Sequence, residues 1–211
     1  MKFPLLNIDG GKSDSIEVSE KIFKLKVNYR LIKFVIDWQL NHAKPRTAKT
    51  KQRNEIRGST KKIVAQKGSG GARHASKKAP LFVGGGVAHG PKGSIYKIKK
   101  INKKVRKLAL AQSLSKKSND KNLYILADVK KEIKKTKEFN KFLLKNNLSN
   151  SLIVSDEKSE KNINKSARNI KNLKLIKEEG ANIYDLFKYT SVIMTSTSVK
   201  KIQDRILNEK N

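Results

Sequence analysis

Basic side chains and glycines dominate the stretch from Lys44 to Lys100, and their types indicate the chemistry of this segment. The basic residues recur every few positions: Arg46, Lys49, Lys51, Arg53, Arg57, Lys61, Lys62, Lys67, Arg73, Lys77 and Lys78. This spacing suits an extended chain that passes between phosphate groups, which lysine and arginine neutralise. Glycines between them let backbone N–H groups approach phosphate oxygens where a Cβ would clash. The pattern predicts binding to a polyanion.

The distribution of charge supports this prediction. The chain has 211 residues, with 49 Lys or Arg against 18 Asp or Glu, and a formal net charge of +31. Residues 41–107 hold 20 of the basic residues and one acidic residue, Glu55. Because folding concentrates like charge and destabilises a compact chain, a polyanionic partner is the natural compensation. RNA is favoured over duplex DNA, since irregular RNA cavities can enclose an extended segment and a duplex offers only grooves.

Several other classes of protein are disfavoured. The chain has no cysteine, which excludes disulfides and thiolate metal sites. Its three histidines, His42, His74 and His89, are too widely spaced to predict a metal site. No apolar run approaches the roughly 20 residues that span a bilayer, and the apolar start at residues 1–6 is too short for a signal peptide. We expect a cytoplasmic protein with no metal, no cofactor and no membrane partner.

Candidate catalytic motifs lack the required context. The glycines at 68–71 neither follow a predicted strand nor precede the Gly-Lys-Ser/Thr of a phosphate-binding loop, and the triplet at 84–86 fails the dinucleotide fingerprint for the same reasons. Four acidic residues are expected to cap helices rather than act as acid–base pairs: Asp128, Glu132, Asp156 and Glu157. We predict that the protein is not an enzyme.

Four rings in the basic segment suit contact with nucleic acid. Phe82, Tyr96, His74 and His89 can stack on unpaired bases. His74 follows Arg73, and no orienting partner for catalysis is visible in the sequence, so binding to a base or a phosphate is its predicted role.

The segments on either side of the basic stretch predict helices. Apolar spacing indicates a helix over Ile22–Leu40, with Ser19 as N-cap and a stop at Asn41. A second helix is predicted from Ile101 through Leu114. Its first turns carry four basic residues: Lys103, Lys104, Arg106 and Lys107. Basic residues at a helix start are unfavourable, because they oppose the helix macrodipole, and an anion bound nearby would offset this cost. For any single lysine, exposure to solvent is the simpler explanation.

The remaining sequence alternates between apolar runs and helical patterns. Strands are predicted at 123–127, 151–154, 173–176 and 191–195, and helices at 135–146, 157–168, 183–188 and 198–207. Short strands at 3–6 and 15–18 suggest an edge hairpin. The fold class is therefore α/β, with a mainly parallel sheet that has helices on both faces. Residues 1–43 and 101–211 are predicted to form one globular domain, and residues 44–100, here called the basic loop, a long extended insertion between two helices.

Two interpretations of the basic loop fit its composition. Residues 44–93 show no helical or strand periodicity and contain clustered glycines and three prolines. The loop is either a disordered basic linker, or a segment that becomes ordered when phosphates neutralise it.

Three motifs that follow one another in the basic loop favour the second interpretation, a segment that becomes ordered on its partner. Residues 66–76, then Ala79-Pro80-Leu81-Phe82, then residues 84–92 closely resemble the bacterial large-subunit ribosomal protein number four family. That family has a Gln-Lys-Gly-Thr/Ser-Gly tip, a basic stretch that ends at Ser, a Pro, and a closing Gly-Gly-Gly…Gly-Pro. The chain departs from the family pattern at Ile63-Val64-Ala65, and at Gly71 and Val83, where arginine is frequent.

The resemblance implies a structural constituent of the large ribosomal subunit that binds large-subunit rRNA and acts early in assembly. The loop tip, Gln66, Lys67, Gly68, Ser69 and Gly70, is expected to line the nascent-peptide exit tunnel. Expected partners are large-subunit rRNA, neighbouring ribosomal proteins including number twenty-two, and the nascent polypeptide, with no homo-oligomer. Expected rRNA-binding residues beyond the series above are His74, Lys92, Lys97, Lys99, Lys100, Lys103, Lys104 and Arg106. A DNA-architectural protein and an RNA-modifying enzyme are the rival interpretations of the composition and the fold class.

Overall fold

A computed structural model describes residues 1–8, 14–93, 99–129, 132–133 and 135–207 of the chain. The contacts between Cα atoms divide it into two compact units: a first unit of residues 1–40 and 100–211, and a second unit of residues 41–99. Two predicted site residues, Tyr96 and Lys97, lie outside the described residues.

The first unit is built on a six-stranded sheet in the order β2-β1-β3-β6-β4-β5. The strands are β1 (Lys2–Leu6), β2 (Ser15–Glu17), β3 (Leu123–Leu126), β4 (Ser151–Ser155), β5 (Leu173–Lys177) and β6 (Ser191–Thr195). Neighbouring strands from β1 to β5 pair in parallel, and β2 pairs antiparallel with β1 at the edge. Every residue of β4 and β6 is buried, as expected for central parallel strands. The predicted mainly parallel sheet is confirmed.

Helices cover both faces of the sheet, as predicted. The helices are α1 (Glu20–Phe23), α2 (Tyr29–Ala43), α3 (Lys103–Asn119), α4 (Thr136–Lys145), α5 (Glu157–Ala167), α6 (Ile183–Lys188) and α7 (Ser196–Leu207). Alternate residues of β4 face opposite sides: Leu152 and Val154 join one core with α1, α2, α3, α6 and α7, whereas Ile153 joins the other with α4 and α5. Within the described ranges, no helix has both the length and the apolar character needed to cross a membrane.

The prediction of a single helix over Ile22–Leu40 is wrong, because the chain forms two helices there. The side chain of Asn28 accepts hydrogen bonds from the backbone N–H groups of Arg30 (3.1 Å) and Leu31 (3.3 Å), so a new helix begins after it. Ser19 precedes the short α1 and makes no side-chain capping bond. The predicted stop at Asn41 is also wrong, since α2 continues to Ala43.

The break between α1 and α2 is stabilised by polar side chains of α3. The backbone N–H of Leu25 donates to Ser115 Oγ at 3.0 Å, and that of Asn28 donates to Gln112 Oε1 at 3.2 Å. These bonds satisfy backbone donors that a continuous helix would have satisfied internally. Apolar periodicity could not reveal them, because both acceptors lie far along the chain.

A buried lysine joins α3 to the start of β6. Lys117 is only 8% exposed, and its Nζ donates to the carbonyl oxygens of Tyr189 (2.7 Å) and Thr190 (2.9 Å). Burial lowers the pKa of Lys117, with the nearby charge of Asp120 opposing that shift.

The second unit folds back on itself. Lys49 and Lys92 form an antiparallel bridge, Thr50 N donates to Pro91 O, and Val87 N donates to Lys51 O, both at 2.9 Å. Residues 44–93, which show no periodicity in the sequence, contain no α-helix. Backbone hydrogen bonds between its two halves, rather than regular strands, therefore define this unit.

Candidate nucleic-acid interface

A groove on the second unit is lined by five basic side chains: Arg57, Lys61, Lys62, Lys77 and Lys78. Its volume is about 570 Å³, and no carboxylate is among the residues that line it. The two walls come from opposite halves of the fold-back, which meet where Ile63 N donates to Ala75 O at 3.1 Å. A cleft with cations on both walls concentrates positive potential, which suits a phosphodiester chain.

Ser76 positions the wall that carries Lys77 and Lys78. It is 4% exposed, its Oγ donates to Ser59 O at 3.4 Å, and the same Oγ accepts from Lys78 N at 3.3 Å. The Ser76 carbonyl accepts from Ala79 N at 3.2 Å, which begins a series of turns. One hydroxyl therefore ties the Lys77–Lys78 wall to the Ser59 wall.

Two glycines of the Gly84–Gly86 triplet have a packing role that the sequence analysis missed. A Cβ on Gly85 would lie 2.0 Å from Ala79 O, and a Cβ on Gly86 would lie 2.3 Å from Arg53 N. Gly85 allows a tight local turn back to Ala79, and Gly86 lets the chain pass against backbone that is more than 30 residues away in the sequence. The sequence suggested instead that these glycines allow close approach to phosphates. The glycine run was the available signal, but its partners were not visible in it.

The predicted tip, residues 66–70, is exposed throughout. Gly68 and Gly70 have φ values of +87° and +64°, and a Cβ added to either would meet no atom within 4 Å. These glycines are therefore needed for the backbone conformation that reverses the chain and not for close packing. Ile63 and Val64, two of the positions that depart from the family pattern, are half-buried at the base of the tip.

Glu55, the single acidic residue of the second unit, closes a turn. Its Oε2 accepts from Gln52 N at 3.1 Å, and its Oε1 lies 3.4 Å from Lys49 Nζ. The hydrogen bond from the Gln52 backbone is the main cause of a lowered pKa at Glu55. Partial desolvation opposes this shift, and the charge of Lys49 adds to it. The Glu55 carboxylate therefore stabilises the turn at Gln52 and pairs with Lys49 within the second unit.

Two of the predicted stacking rings contact each other. His74 and Phe82 form an edge-to-face pair with ring centroids 5.0 Å apart, and both are half-buried. His89 is exposed and has a φ of 55°. Stacking of these rings on RNA bases stays a prediction.

The other predicted rRNA-binding residues are exposed but distributed over both units. Those of the second unit outside the groove are Arg46, Lys49, Lys51, Arg53, Lys67, Arg73, Lys92 and Lys99. Lys100, Lys103, Lys104 and Arg106 belong to the first unit, where Asn102 caps α3 by accepting from Lys104 N at 3.2 Å. Within the described part of the chain, no three His, Asp or Glu side chains come together as metal ligands.

The fold and the groove define an α/β protein with a separate cationic unit suited to phosphate binding. The model of the ribosomal protein L4/L1 family matches residues 16–205, and the chain belongs to this family. The match confirms the resemblance noted in residues 66–92, and it confirms that the chain is a structural ribosomal protein and not an enzyme.

Relatives match the chain over nearly its whole length. It is 50% identical to the large ribosomal subunit protein uL4 of Pelagibacter ubique over 206 residues, which cover 97% of this chain and 99% of the relative. Proteins of the same name from Hyphomonas neptunium and Thermotoga petrophila are 33% and 36% identical, each across 97% of this chain and across 96% and 95% of their own lengths.

Proposed function

We propose that the protein is a structural component of the large ribosomal subunit, in the cytoplasm, and that it binds large-subunit rRNA mainly through the basic loop. The observation that carries this proposal is the groove of Arg57, Lys61, Lys62, Lys77 and Lys78, which has cations on both walls. The names of the relatives, each a large ribosomal subunit protein, support the assignment to that subunit.

The charge of the second unit explains why RNA is the fitting partner. Glu55 is its single carboxylate and already contacts Lys49 and the Gln52 backbone, so the unit's own acidic groups cannot neutralise its remaining cations. Phosphates bound along the groove replace water and counterions around these lysines, and the released counterions drive association.

The proposed division of labour follows the predicted domains. Residues 1–43 and 101–211 form the globular domain, and residues 44–100 enter the rRNA, beginning early in assembly. The tip residues Gln66 to Gly70 line the exit tunnel beside ribosomal protein number twenty-two, where they face the nascent polypeptide. Exposure of the whole tip supports this placement, because its side chains are free of packing within the chain's own second unit.

The salt dependence of rRNA binding tests the role of the groove. In the full chain, Lys61→Gln/Lys77→Gln removes one cation from each wall, and we expect the slope of log affinity against log salt to fall by about 2. The matched control is Lys141→Gln/Lys145→Gln, which removes two exposed lysines from α4. Filter binding to large-subunit rRNA over a series of salt concentrations measures both. An equal loss in the two double variants would contradict a role for the groove.

Competition between nucleic acids separates this function from that of a DNA-architectural protein. At moderate salt, unlabelled large-subunit rRNA should displace labelled rRNA from the full chain at far lower concentration than duplex DNA of equal phosphate content. Equal competition by the duplex would favour the DNA-binding alternative.

A further inference from the structure

The first unit contains a second basic site, separate from the groove. A pocket of about 360 Å³ is bounded by α2, α3, the turn Glu178–Gly180, α6 and α7. Four basic side chains line it: Lys103, Arg106, Lys107 and Arg205. Trp38 lies in the same lining, and Glu179 is its one acidic residue. All four basic side chains project from helices, Lys103, Arg106 and Lys107 from α3 and Arg205 from α7.

Two of the four cations are held in place by the protein itself. Arg205 Nη1 donates to the carbonyl oxygens of Glu178 (3.2 Å) and Glu179 (2.9 Å), which orients its guanidinium. The Arg106 guanidinium lies over the Trp38 ring, with its Cζ 5.4 Å from the centroid. Side chains that are already oriented lose little conformational entropy on binding a ligand, which favours a specific site over a diffuse charged surface.

The floor of the pocket is apolar, which narrows the class of ligand. Val35, Leu110 and Ile183 line it and are buried. An inorganic anion would use the cations alone and would make no use of the Trp38 ring and the Arg106 guanidinium that lies over it. An unstacked nucleobase supplies a flat apolar surface next to a charged phosphate, and proteins hold such bases on aromatic rings and arginine planes.

The size of the pocket limits how much of a nucleic acid can enter. Small-molecule sites are roughly 300–1,000 Å³, and this pocket lies near the lower end of that range. It is large enough for one nucleotide and too small for a base-paired helix. A single-stranded or bulged residue is therefore the form of RNA that fits.

We propose that this pocket binds one unstacked nucleotide of RNA, with the base against Trp38 and Arg106 and the phosphate on Lys103, Lys107 and Arg205. The site lies in the first unit and uses none of the groove residues. RNA as the ligand rests on the proposed function, but the site and the groove can fail independently.

Trp38 is the single tryptophan of the chain, so its fluorescence reports on this pocket directly. With the full chain, single-stranded hexaadenylate RNA should quench Trp38 emission, because a stacked base contacts the indole. Tripolyphosphate and hexaglutamate at equal charge should leave the emission nearly unchanged. Equal quenching by tripolyphosphate would reduce the site to an anion site, equal quenching by hexaglutamate would indicate an acidic protein partner, and no quenching by hexaadenylate would remove the site altogether. Each of these three results overturns the proposal.

Exposed lysines inside and outside the pocket provide the decisive comparison. Lys103 lines the pocket, whereas Lys141 lies on α4 and does not. We expect Lys103→Gln to weaken the hexaadenylate quenching about tenfold, the effect of losing one charged hydrogen bond, and Lys141→Gln to change it less than twofold. Equal effects of the two variants would contradict binding in the pocket.

Two further variants separate this site from protein folding and from the groove. Arg205→Gln should weaken quenching about tenfold, with partial recovery in Arg205→Lys. If Arg205→Gln lowers the thermal stability, the effect of Lys103→Gln on quenching is the test of the site. The groove variant Lys61→Gln/Lys77→Gln should keep the quenching at saturating hexaadenylate. Loss of quenching in the groove variant alone would show that Trp38 senses binding elsewhere and would overturn the proposal.

Discussion

Gly86 lies against the backbone of Arg53: a Cβ built on Gly86 would be 2.3 Å from Arg53 N and 2.7 Å from Arg53 Cα. Gly86 N also donates to Lys78 O at 2.9 Å, and the next residue, Val87, donates to Lys51 O at 2.9 Å. The chain that leaves the triple glycine is therefore in direct contact with the chain that enters the second unit. The groove depends on this contact, because Lys78 belongs to one of its walls.

Gly86→Ala should loosen the second unit. The added methyl group has to displace backbone, and overpacking of this kind costs about 1–3 kcal/mol. We expect faster hydrogen exchange at the amides of Thr50 and Val87, together with weaker rRNA binding. The matched control is Gly71→Ala, whose Cβ would meet only Ser69 O at 4.0 Å and whose exchange should not change. Equal exchange in the two variants would contradict the packing role of Gly86.

Lys117→Met should destabilise the first unit. It removes the donor that satisfies the Tyr189 and Thr190 carbonyls, and charged hydrogen bonds of this kind contribute about 1.5–3 kcal/mol. Urea unfolding followed by Trp38 fluorescence measures the change. In the control variant Lys116→Met the loss should be smaller, since that side chain is more exposed and pairs with Asp120 at the surface. A larger loss for Lys116→Met would show that Lys117 is not the anchor.

Asp156 makes the stability of the first unit sensitive to acid. Its Oδ2 accepts from Lys158 N and Ser159 N at the start of α5, and its Oδ1 accepts from the Thr195 hydroxyl. Burial would raise the pKa of Asp156, but the hydrogen bonds from Ser159 and Thr195 outweigh it and lower the pKa below its ordinary 3.8. The ionised carboxylate therefore stabilises the fold above that value, and this contribution is lost as the pH falls through the lowered pKa.

Asp156→Ala should lower the free energy of unfolding at neutral pH by about 0.5–2 kcal/mol, the usual effect of losing an N-cap. Asp156→Asn keeps a capping oxygen and removes the titration. Below about pH 4 its stability should therefore fall less steeply with acid than that of the unmodified protein. Urea titrations between pH 3 and pH 7 measure both effects, and parallel acid dependence of the two proteins would rule out Asp156 as the titrating group.

Arg73→Glu should impair incorporation into large subunits while the first unit stays folded. Arg73 is exposed beside the proposed tip. In the proposed complex, charge reversal there would place a carboxylate against rRNA phosphates. Sedimentation of ribosomal particles with a tagged chain measures incorporation, and urea unfolding of the purified chain measures stability. Lys141→Glu, the same reversal on α4, should be incorporated normally. Loss of stability in Arg73→Glu would contradict the division of labour between the units.

The elements of the sheet could be predicted from the sequence, because apolar runs such as Leu123–Leu126 and Ser151–Ser155 report burial on both faces directly. The break between α1 and α2 could not be predicted, since it depends on the Asn28 side chain and on a side-chain acceptor in α3, Gln112. In the same way, the basic loop was visible as composition, but the opposition of Lys61 and Lys77 across a groove depends on hydrogen bonds at Ser76. The pocket was not predicted, because Trp38, Arg106 and Arg205 come together only through helix packing.

Because Lys49 and Lys92 face each other in a bridge, the stability of the closed basic loop depends on the salt and the anions in solution. Like charges on directly opposite residues of an antiparallel pair repel, and one carboxylate, Glu55, lies near Lys49. An anion bound between these lysines favours the closed loop, and by reciprocity the closed loop binds that anion more tightly. RNA bound as we propose would therefore also stabilise the closed loop.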